Sequence, residues 1–293
     1  VVYGGMIIFF LGIFLSDVKL TSQAFAELLD YKNLVDNENI FALLSVAGAI
    51  FAYFSIIIVS FGDYSRYVKN DDELNKGNLS LIANLIIFSF FSVFIVVGSD
   101  VFLNLKFLDL SSILTNPTDI VGKFDNTSIT VIAIFFIIIA SASTNLVANF
   151  IPAQYSLINF MPSSLNLKSS SYVILIISFF IGAYWLTVLS QIGILSLVDT
   201  FSCFFGPLFG LMIADYYLIR SKTISNKDIY STEKSGIYYF SNGWHIKGCY
   251  SLLVGFIFSA STIWNPNLMF LQSFAWIIGA IVTLITYYLL AKK

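Results

Sequence analysis

Long apolar runs recur along this chain and constrain its fold more than any other feature. A helix that crosses a membrane needs about 20 mostly apolar residues. Only 11% of the 293 residues are charged, against about 25% in a typical soluble domain. We therefore predict an all-α polytopic membrane protein, with about seven full transmembrane helices and one partial helix. The partial span covers 1–15, and the full spans lie near 41–61, 80–103, 129–151, 171–188, 192–217, 248–264 and 268–290.

The first apolar run begins at Val1, with no basic segment and no cleavage site to mark a signal peptide. We interpret the chain as truncated, with helices upstream of Val1 absent. The segment 111–124 contains Pro117 and is too short and polar to cross a membrane. We expect it to lie on the surface as a short helix or loop.

The Lys and Arg residues predict the orientation in the membrane. If the loops alternate, eleven of the fifteen fall on one side and four on the other. Because cytoplasmic loops carry the excess of Lys and Arg, the larger set is expected in the cytoplasm together with the C-terminus, in the plasma (inner) membrane. The larger set is Arg66, Lys69, Lys76, Lys168, Arg220, Lys222, Lys227, Lys234, Lys247, Lys292 and Lys293, and the smaller set is Lys19, Lys32, Lys106 and Lys123.

The chain offers little that an enzyme, a nucleic-acid-binding protein or a channel would need. Its net charge is −2 and no basic patch is present. With one histidine, His245, and two isolated cysteines, it offers no nucleophile–base pair and no metal-ligand set for an enzyme. No ring of charges or filter-like repeat indicates a passive channel. We predict a protein that is not an enzyme and carries no cofactor.

The segment Ala140–Asn149 is polar within an otherwise apolar span. At about 100° per residue, Ala140, Ser143 and Thr144 fall within one arc of a regular helix, and Asn145 and Asn149 share a second arc. Oxygen atoms without fixed charge suit a desolvated cation, and carboxamides match the amide edge of a heterocycle. The alternative explanation is that small and hydroxyl residues let membrane helices pack closely.

Three further features carry functional hypotheses. The span 41–61 contains Gly48, where a helix could unwind, and Tyr53 and Phe54, whose rings could stack on a flat solute. In Phe205–Gly210, Pro207 removes a backbone donor beside Gly206, which suits a gate. Asp199 is the one carboxylate well inside an apolar stretch. We expect it to face an outer vestibule, with proton coupling as the alternative.

Three motifs together resemble the nucleobase–cation symporter-1 family, the permeases of cytosine, purines, uracil, allantoin and hydantoins. They are Gly62-Asp-Tyr-Ser-Arg-Tyr67, Ser143-Thr-Asn-Leu-Val-Ala-Asn149 and Gly206-Pro-Leu-Phe-Gly-Leu-Met-Ile-Ala-Asp-Tyr-Tyr217. The resemblance implies a leucine-transporter-type fold of twelve helices, ten of them in two inverted five-helix repeats. This chain would be its C-terminal portion, from the end of the fifth helix onward. As one transporter domain over 1–293, it would comprise the end of the first repeat and the second repeat in 1–217, a cytoplasmic loop in 218–247 and two peripheral helices in 248–293.

The resemblance also implies roles for individual residues. In sodium-coupled members, the Ala140 carbonyl and the Ser143 and Thr144 hydroxyls would help to bind sodium, and Asn149 would hydrogen-bond the substrate. The aromatic stacking position falls on Phe54, where many members carry Trp. Asp63, Arg66 and Asp215 would lie at cytoplasmic helix ends with structural or inner-gate roles.

These observations predict a secondary active transporter. It would import a nucleobase, or a related planar heterocycle or ureide, as a cation-coupled symporter that works by alternating access. Its partners would be this small molecule and the lipid bilayer, with no nucleic acid, and it would be a monomer. A different solute, such as thiamine or an amino acid, and a proton in place of sodium are the open alternatives.

Overall fold

The computed structural model describes residues 2–16, 18–19, 22–23, 26, 37–102, 117–123, 127–184, 194–229, 231 and 233–292, and over these ranges the chain is almost entirely helical. Seven helical segments within those ranges are long and apolar enough to cross a membrane, as predicted. The α-helices are α1 (Val2–Ser16), α2 (Asn37–Val59), α3 (Phe61–Ser65), α4 (Asp71–Phe102), α5 (Pro117–Val121), α6 (Thr127–Asn145), α7 (Ile151–Phe160), α8 (Leu167–Tyr184), α9 (Ile194–Ile213), α10 (Ile246–Trp264) and α11 (Ala275–Ala291). Two π-helices, Leu146–Phe150 and Ala214–Ile219, and a 3-10 helix, Pro266–Phe274, complete the described elements.

Two helices extend well beyond their predicted spans. Helix α4 begins at Asp71, nine residues before the predicted start, with three acidic residues in its first turn. Their negative charges interact favourably with the positive end of the helix dipole and so stabilise the first turn. The Asn70 side chain also accepts a hydrogen bond of 2.9 Å from the Glu73 backbone N–H. The helix of the polar segment runs from Thr127 through a π-helix to Phe160. Hydropathy locates only the apolar centre of a span, so it does not predict the polar turns at the ends of the helix.

The described residues of 111–124 include the short helix α5, which begins at Pro117. Proline suits the first turn of a helix because its missing N–H would be unbonded there in any case. The Ile120 and Val121 side chains of this helix are buried. The first part of the predicted segment, 111–116, lies outside the described residues.

The chain divides into two compact units. The first comprises 1–36 and 63–174, and the second comprises 37–62 and 175–293. In the first unit α1 packs on α4, and the Phe10 ring meets the Phe91 and Phe94 rings edge-on with centroids 6.2 and 5.3 Å apart.

In the second unit α9 packs against α2, α10 and α11. One buried cluster joins Ala52, Trp276 and Ala280, and another joins Cys203, Ala260 and Ala275. Small side chains dominate both clusters. Without a strong hydrophobic force between helices in lipid, such small residues allow the close approach on which helix association depends.

Several glycines of the second unit lie in close contact with the backbone of a neighbouring helix. A Cβ atom added at Gly206 or Gly210 would overlap with the backbone of Trp276 or Ala280 in α11. The corresponding atom at Gly48 would overlap with the Ser273 carbonyl oxygen. Helix α2 is unbroken from Asn37 to Val59. The hypothesis that the chain unwinds at Gly48 is therefore wrong for this structure, in which that glycine permits close packing instead.

Candidate functional site

The polar segment lies where α6 gives way to the first π-helix, Leu146–Phe150. The Ser143 hydroxyl donates to the Ala140 carbonyl oxygen at 2.9 Å, so these two oxygens share one arc of the helix, as predicted. Both are neutral oxygen ligands of the kind that a hard cation prefers. A cation bound to both oxygens would replace this hydrogen bond. The oxygen ligands that a sodium ion requires could therefore come from the Ala140 carbonyl and from the hydroxyls of Ser143 and the adjacent Thr144.

The two carboxamides of the segment form a pair. The Asn149 Nδ2 donates to the Asn145 Oδ1 at 2.5 Å, and the Asn145 Nδ2 donates to the Ser141 carbonyl at 2.9 Å. A carboxamide offers two N–H donors and one carbonyl acceptor. The bond within the pair uses one donor of Asn149 and leaves its Oδ1 and a second N–H for other partners. Asn145 thus holds Asn149 in place.

The π-helix changes the geometry that a regular α-helix would give. Its hydrogen bonds span five residues instead of four, so Asn149 lies at a different angle from Thr144 than 100° per residue predicts. Pro152 supplies a physical cause, because it lacks the N–H that would bond the Ala148 carbonyl and its ring crowds that oxygen. π-Helical turns of this kind are frequent at functional sites.

A tyrosine from a distant part of the sequence bonds to this turn. The Tyr64 hydroxyl donates to the Ala148 carbonyl oxygen at 2.8 Å. The motif 62–67 indicated roles for Asp63 and Arg66, which form an ion pair of 2.8 Å in the structure. Sequence reasoning missed Tyr64, although the proline four residues after Ala148 indicates a carbonyl without its α-helical donor.

The polar side chains of this segment are accessible within their unit. Ser143, Thr144, Asn145 and Asn149 are all exposed. Burying unpaired polar groups in hydrocarbon is costly. These side chains are therefore available to a polar ligand or to another helix.

The predicted stacking residues belong to the second unit. Tyr53 is 61% exposed, and its ring meets the half-buried Phe54 ring edge-on with centroids 5.3 Å apart. Helix α2 buries Ala52 and Ser55, while the Phe51 ring stacks on Trp276 at 5.7 Å. Tyr53 therefore points away from the buried face of its helix, and most of its ring is exposed.

The predicted gating residues lie in a continuous helix, since α9 runs from Ile194 to Ile213 through Pro207. A Cβ atom added at Gly279 would lie 2.7 Å from the Pro207 Cδ, so the proline ring rests on that glycine. Gly206 likewise allows contact with the Trp276 backbone. Close packing thus accounts for both residues in this conformation, and the gating role stays a prediction.

Asp199 is buried, with 6% of its surface exposed. Its Oδ2 accepts a hydrogen bond of 2.9 Å from the Gln272 side chain in the 3-10 helix. The expectation that Asp199 faces an outer vestibule is therefore wrong. A carboxylate near a helix start can turn inward when a neutral amide satisfies one of its oxygens, and the sequence did not identify Gln272 as that partner.

The third motif ends in a polar cluster at the second π-helix. The Asp215 Oδ2 accepts from the Arg220 Nε at 2.6 Å, and the Asp215 Oδ1 accepts from the buried Tyr287 hydroxyl at 2.6 Å. His245 stacks on the Phe240 ring with centroids 4.0 Å apart. Burial lowers the pKa of His245, although the nearby Asp215 charge acts in the opposite direction. The cluster ties α11 to the connection that precedes α10.

Comparison with known proteins places these features in a family. Residues 6–286 match the family model described as permease for cytosine/purines, uracil, thiamine, allantoin. The allantoin permease of Bacillus subtilis (strain 168) is 25% identical over 244 residues, which are 83% of this chain and 48% of that protein. The purine-uracil permease of Arabidopsis thaliana is 23% identical over 70% of this chain and 33% of its own length.

A solved structure of Mhp1 in its inward facing conformation is also similar, with 24% identity and a TM-score of 0.46. The similarity covers 68% of this chain and 40% of that one. The chain spans about half the length of the allantoin permease and a third of the length of the purine-uracil permease.

Proposed function

This chain belongs to the permease family for cytosine/purines, uracil, thiamine and allantoin, and on that premise we propose that it imports a nucleobase, or a related planar heterocycle or ureide, together with a cation. It is an integral membrane transporter and not an enzyme. The relatives named for allantoin, purines and uracil support the substrate class. These solutes share neighbouring hydrogen-bond donors and acceptors: N–H and C=O groups in uracil and allantoin, and N–H groups and ring nitrogens in purines.

The Asn145–Asn149 pair is the observation that carries this proposal. Asn149 is exposed, and beyond its bond to Asn145 it keeps a carbonyl acceptor and an N–H donor. This combination is complementary to the amide edge of a nucleobase or ureide. Asn145 limits the rotation of Asn149, so less conformational freedom is lost when a solute binds.

The proposed aromatic contact falls on helix α2, where Tyr53 is exposed and Phe54 is half-buried. Tyr53 and Phe54 are the candidates for stacking on the flat face of the solute, since an aromatic ring prefers an offset stack or an edge contact. Phe54 is smaller than the Trp that many family members carry at this position. We expect it to leave room for a larger or less planar solute.

Sodium is the proposed coupling ion, held by the Ala140 carbonyl and the Ser143 and Thr144 hydroxyls. Coupling requires that ion and solute favour the same conformation and so strengthen each other's binding. The Asn pair begins one residue after Thr144, and this proximity offers a direct route for that linkage. The excess of Lys and Arg on one set of loops supports a cytoplasmic C-terminus.

Uptake of radiolabelled uracil, cytosine and allantoin by the full-length protein tests the proposal. Asn149→Ala removes one donor and one acceptor, together worth about 2 kcal/mol, so apparent affinity should fall more than tenfold. The matched control is Asn84→Ala, an exposed asparagine in α4 whose side chain bonds back to the Ser80 carbonyl at 2.7 Å. Unchanged affinity after Asn149→Ala would remove the substrate role of Asn149.

The same assay with sodium replaced by choline tests the ion. Ser143→Ala should weaken sodium dependence, whereas Ser261→Ala should not, although the Ser261 hydroxyl also bonds a carbonyl three residues earlier, at 2.7 Å. Sodium-independent uptake that rises at acidic pH would replace sodium by a proton. Competition by thiamine or amino acids, but not by nucleobases, would change the substrate class.

A further inference from the structure

The Ala148 carbonyl lacks the backbone N–H donor that a regular α-helix would give it. In an α-helix it would bond the N–H of the residue four positions later, but that residue is Pro152, which has none. A carbonyl left without a donor in an apolar environment is costly. Tyr64, 84 residues earlier in the chain, supplies a donor to this carbonyl at 2.8 Å.

The segment around Tyr64 is fixed on the same helix by further contacts. The Arg66 guanidinium lies 4.1 Å above the centre of the Tyr155 ring, and the Tyr67 and Tyr155 hydroxyls are hydrogen-bonded. Arg66 is in turn paired with Asp63 at 2.8 Å. We refer to residues 63–67 as the clamp, because they hold the first π-helix and α7 from outside.

The chemistry of Tyr64 suits a permanent donor. Burial, and to a lesser extent the Asp63 charge, raises the pKa of Tyr64. Its hydroxyl therefore keeps its proton throughout the physiological pH range. The Ala148 carbonyl accordingly has a donor whatever the pH of either compartment.

The bond reaches the candidate substrate ligand through one peptide unit. The atoms from Cα of Ala148 to Cα of Asn149, including the Ala148 oxygen, lie close to one plane. Holding that oxygen therefore limits rotation of the peptide plane between Ala148 and Asn149, and with it the position of the Asn149 Cα within the π-helix. The Asn149 side chain is then oriented by two bonds, one from Tyr64 through the backbone and one to Asn145.

We propose that Tyr64 is a positioning residue for Asn149: through the Ala148 carbonyl it holds the π-turn that presents the Asn149 amide to the substrate, and so it sets substrate affinity without touching the substrate. The inference rests on the proposed function, since it takes Asn149 as a substrate ligand. Removing the Tyr64 hydroxyl should let the peptide plane between Ala148 and Asn149 rotate, so that the Asn149 side-chain amide is no longer held in one orientation.

Tyr64→Phe is the test, and Tyr67→Phe is its matched control. Both changes remove one hydroxyl from the clamp, but the Tyr67 hydroxyl bonds a side chain in α7 and not the π-turn. In uptake by the full-length protein, Tyr64→Phe should raise the apparent KM about five- to tenfold, as expected for one lost hydrogen bond. Tyr67→Phe should change it less than twofold, and equal effects of the two variants would overturn the proposal.

A double-mutant cycle separates this proposal from the proposed function. If Tyr64 acts through Asn149, Tyr64→Phe should raise KM no further in an Asn149→Ala background. Independent, multiplying effects would overturn the positioning role while leaving Asn149 as a ligand. If Asn149→Ala alone leaves KM unchanged, the substrate role that the proposed function gives to Asn149 fails, which is a different result.

Two further measurements test the inference, and the first of them does not depend on transport. Hydrogen exchange of the backbone amides of 146–151 and 153 should be faster in Tyr64→Phe than in Tyr67→Phe, and unchanged exchange would overturn the proposal. Pro152→Ala restores a backbone N–H that can bond the Ala148 carbonyl. In that background Tyr64→Phe should cost less than twofold in KM, and an undiminished five- to tenfold loss would contradict the inference.

Discussion

The contact between α9 and α11 at Gly210 leads to a sharp prediction about stability. A Cβ atom at Gly210 would overlap with the Ala280 carbonyl oxygen and lie 2.8 Å from its carbonyl carbon and 3.0 Å from its Cα. All three atoms are backbone, so no side-chain rotation relieves the overlap. Gly210→Ala must therefore push the two helices apart. Gly182→Ala in α8 is the matched control, because nothing lies within 4 Å of a Cβ atom there.

The expected magnitude follows from two opposing effects. Overpacking a tight contact costs about 1–3 kcal/mol, and overlap with backbone favours the upper end, near 3 kcal/mol. Replacing glycine by alanine inside a helix returns about 1 kcal/mol. The net loss for Gly210→Ala is then about 2 kcal/mol, whereas Gly182→Ala should be neutral or stabilising by about 1 kcal/mol. Because helix propensity cancels between the variants, their difference of about 3 kcal/mol measures the steric cost.

The assay is thermal and denaturant-induced unfolding of the full-length protein in detergent, with both variants measured at the same protein and detergent concentrations. Gly210→Ala should melt well below the parent protein and Gly182→Ala at or above it. Equal melting of the two variants would refute the reasoning, because it would mean that α9 and α11 do not approach as closely as the structure indicates.

Two further predictions concern the cluster at the second π-helix. Tyr287→Phe removes the hydroxyl that donates to Asp215. Because the Asp215 side chain is 28% exposed, water can partly replace this bond, and the loss of stability should be about 1.5 kcal/mol, near the low end for a charged acceptor. An unchanged melting temperature would contradict this prediction. Burial lowers the pKa of His245, so its contribution to stability is complete above the unfolded value of 6.5 and is lost as the pH falls through the lower folded value. Melting temperatures between pH 7.5 and 5 should therefore fall less steeply in His245→Gln, and parallel curves for the two proteins would show that another group titrates.

The spans were predictable because each has an apolar centre of membrane length, and lipid leaves a helix few alternatives. The ends were not. Asp71–Glu73 look like a loop in a hydropathy profile, yet acidic residues stabilise the first turn of a helix. The span predicted over 129–151 ends just before Pro152, whereas the chain widens into a π-helix at Leu146–Phe150 and continues helically to Phe160.

Within the candidate site, local relations were predictable and remote ones were not. The Ser143–Ala140 bond and the Asn145–Asn149 pair follow from spacings of three and four residues, which place side chains on the same helix face. The bond from Tyr64 spans 84 residues and depends on tertiary packing. The same holds for the burial of Asp199 against Gln272, 73 residues later.

The three motifs that resemble the family have different structural roles in this chain. In the motif 143–149, Asn149 is exposed and chemically suited to a ligand, and Pro152 removes the α-helical N–H donor of the neighbouring Ala148 carbonyl. The motif 62–67 supplies a donor to that carbonyl through Tyr64. The two motifs therefore form one structural unit, and a substitution at Tyr64 should resemble a binding defect although the residue touches no substrate. The motif 206–217 meets the backbone of α11 through its glycines, so substitutions there should be detected first as lost stability.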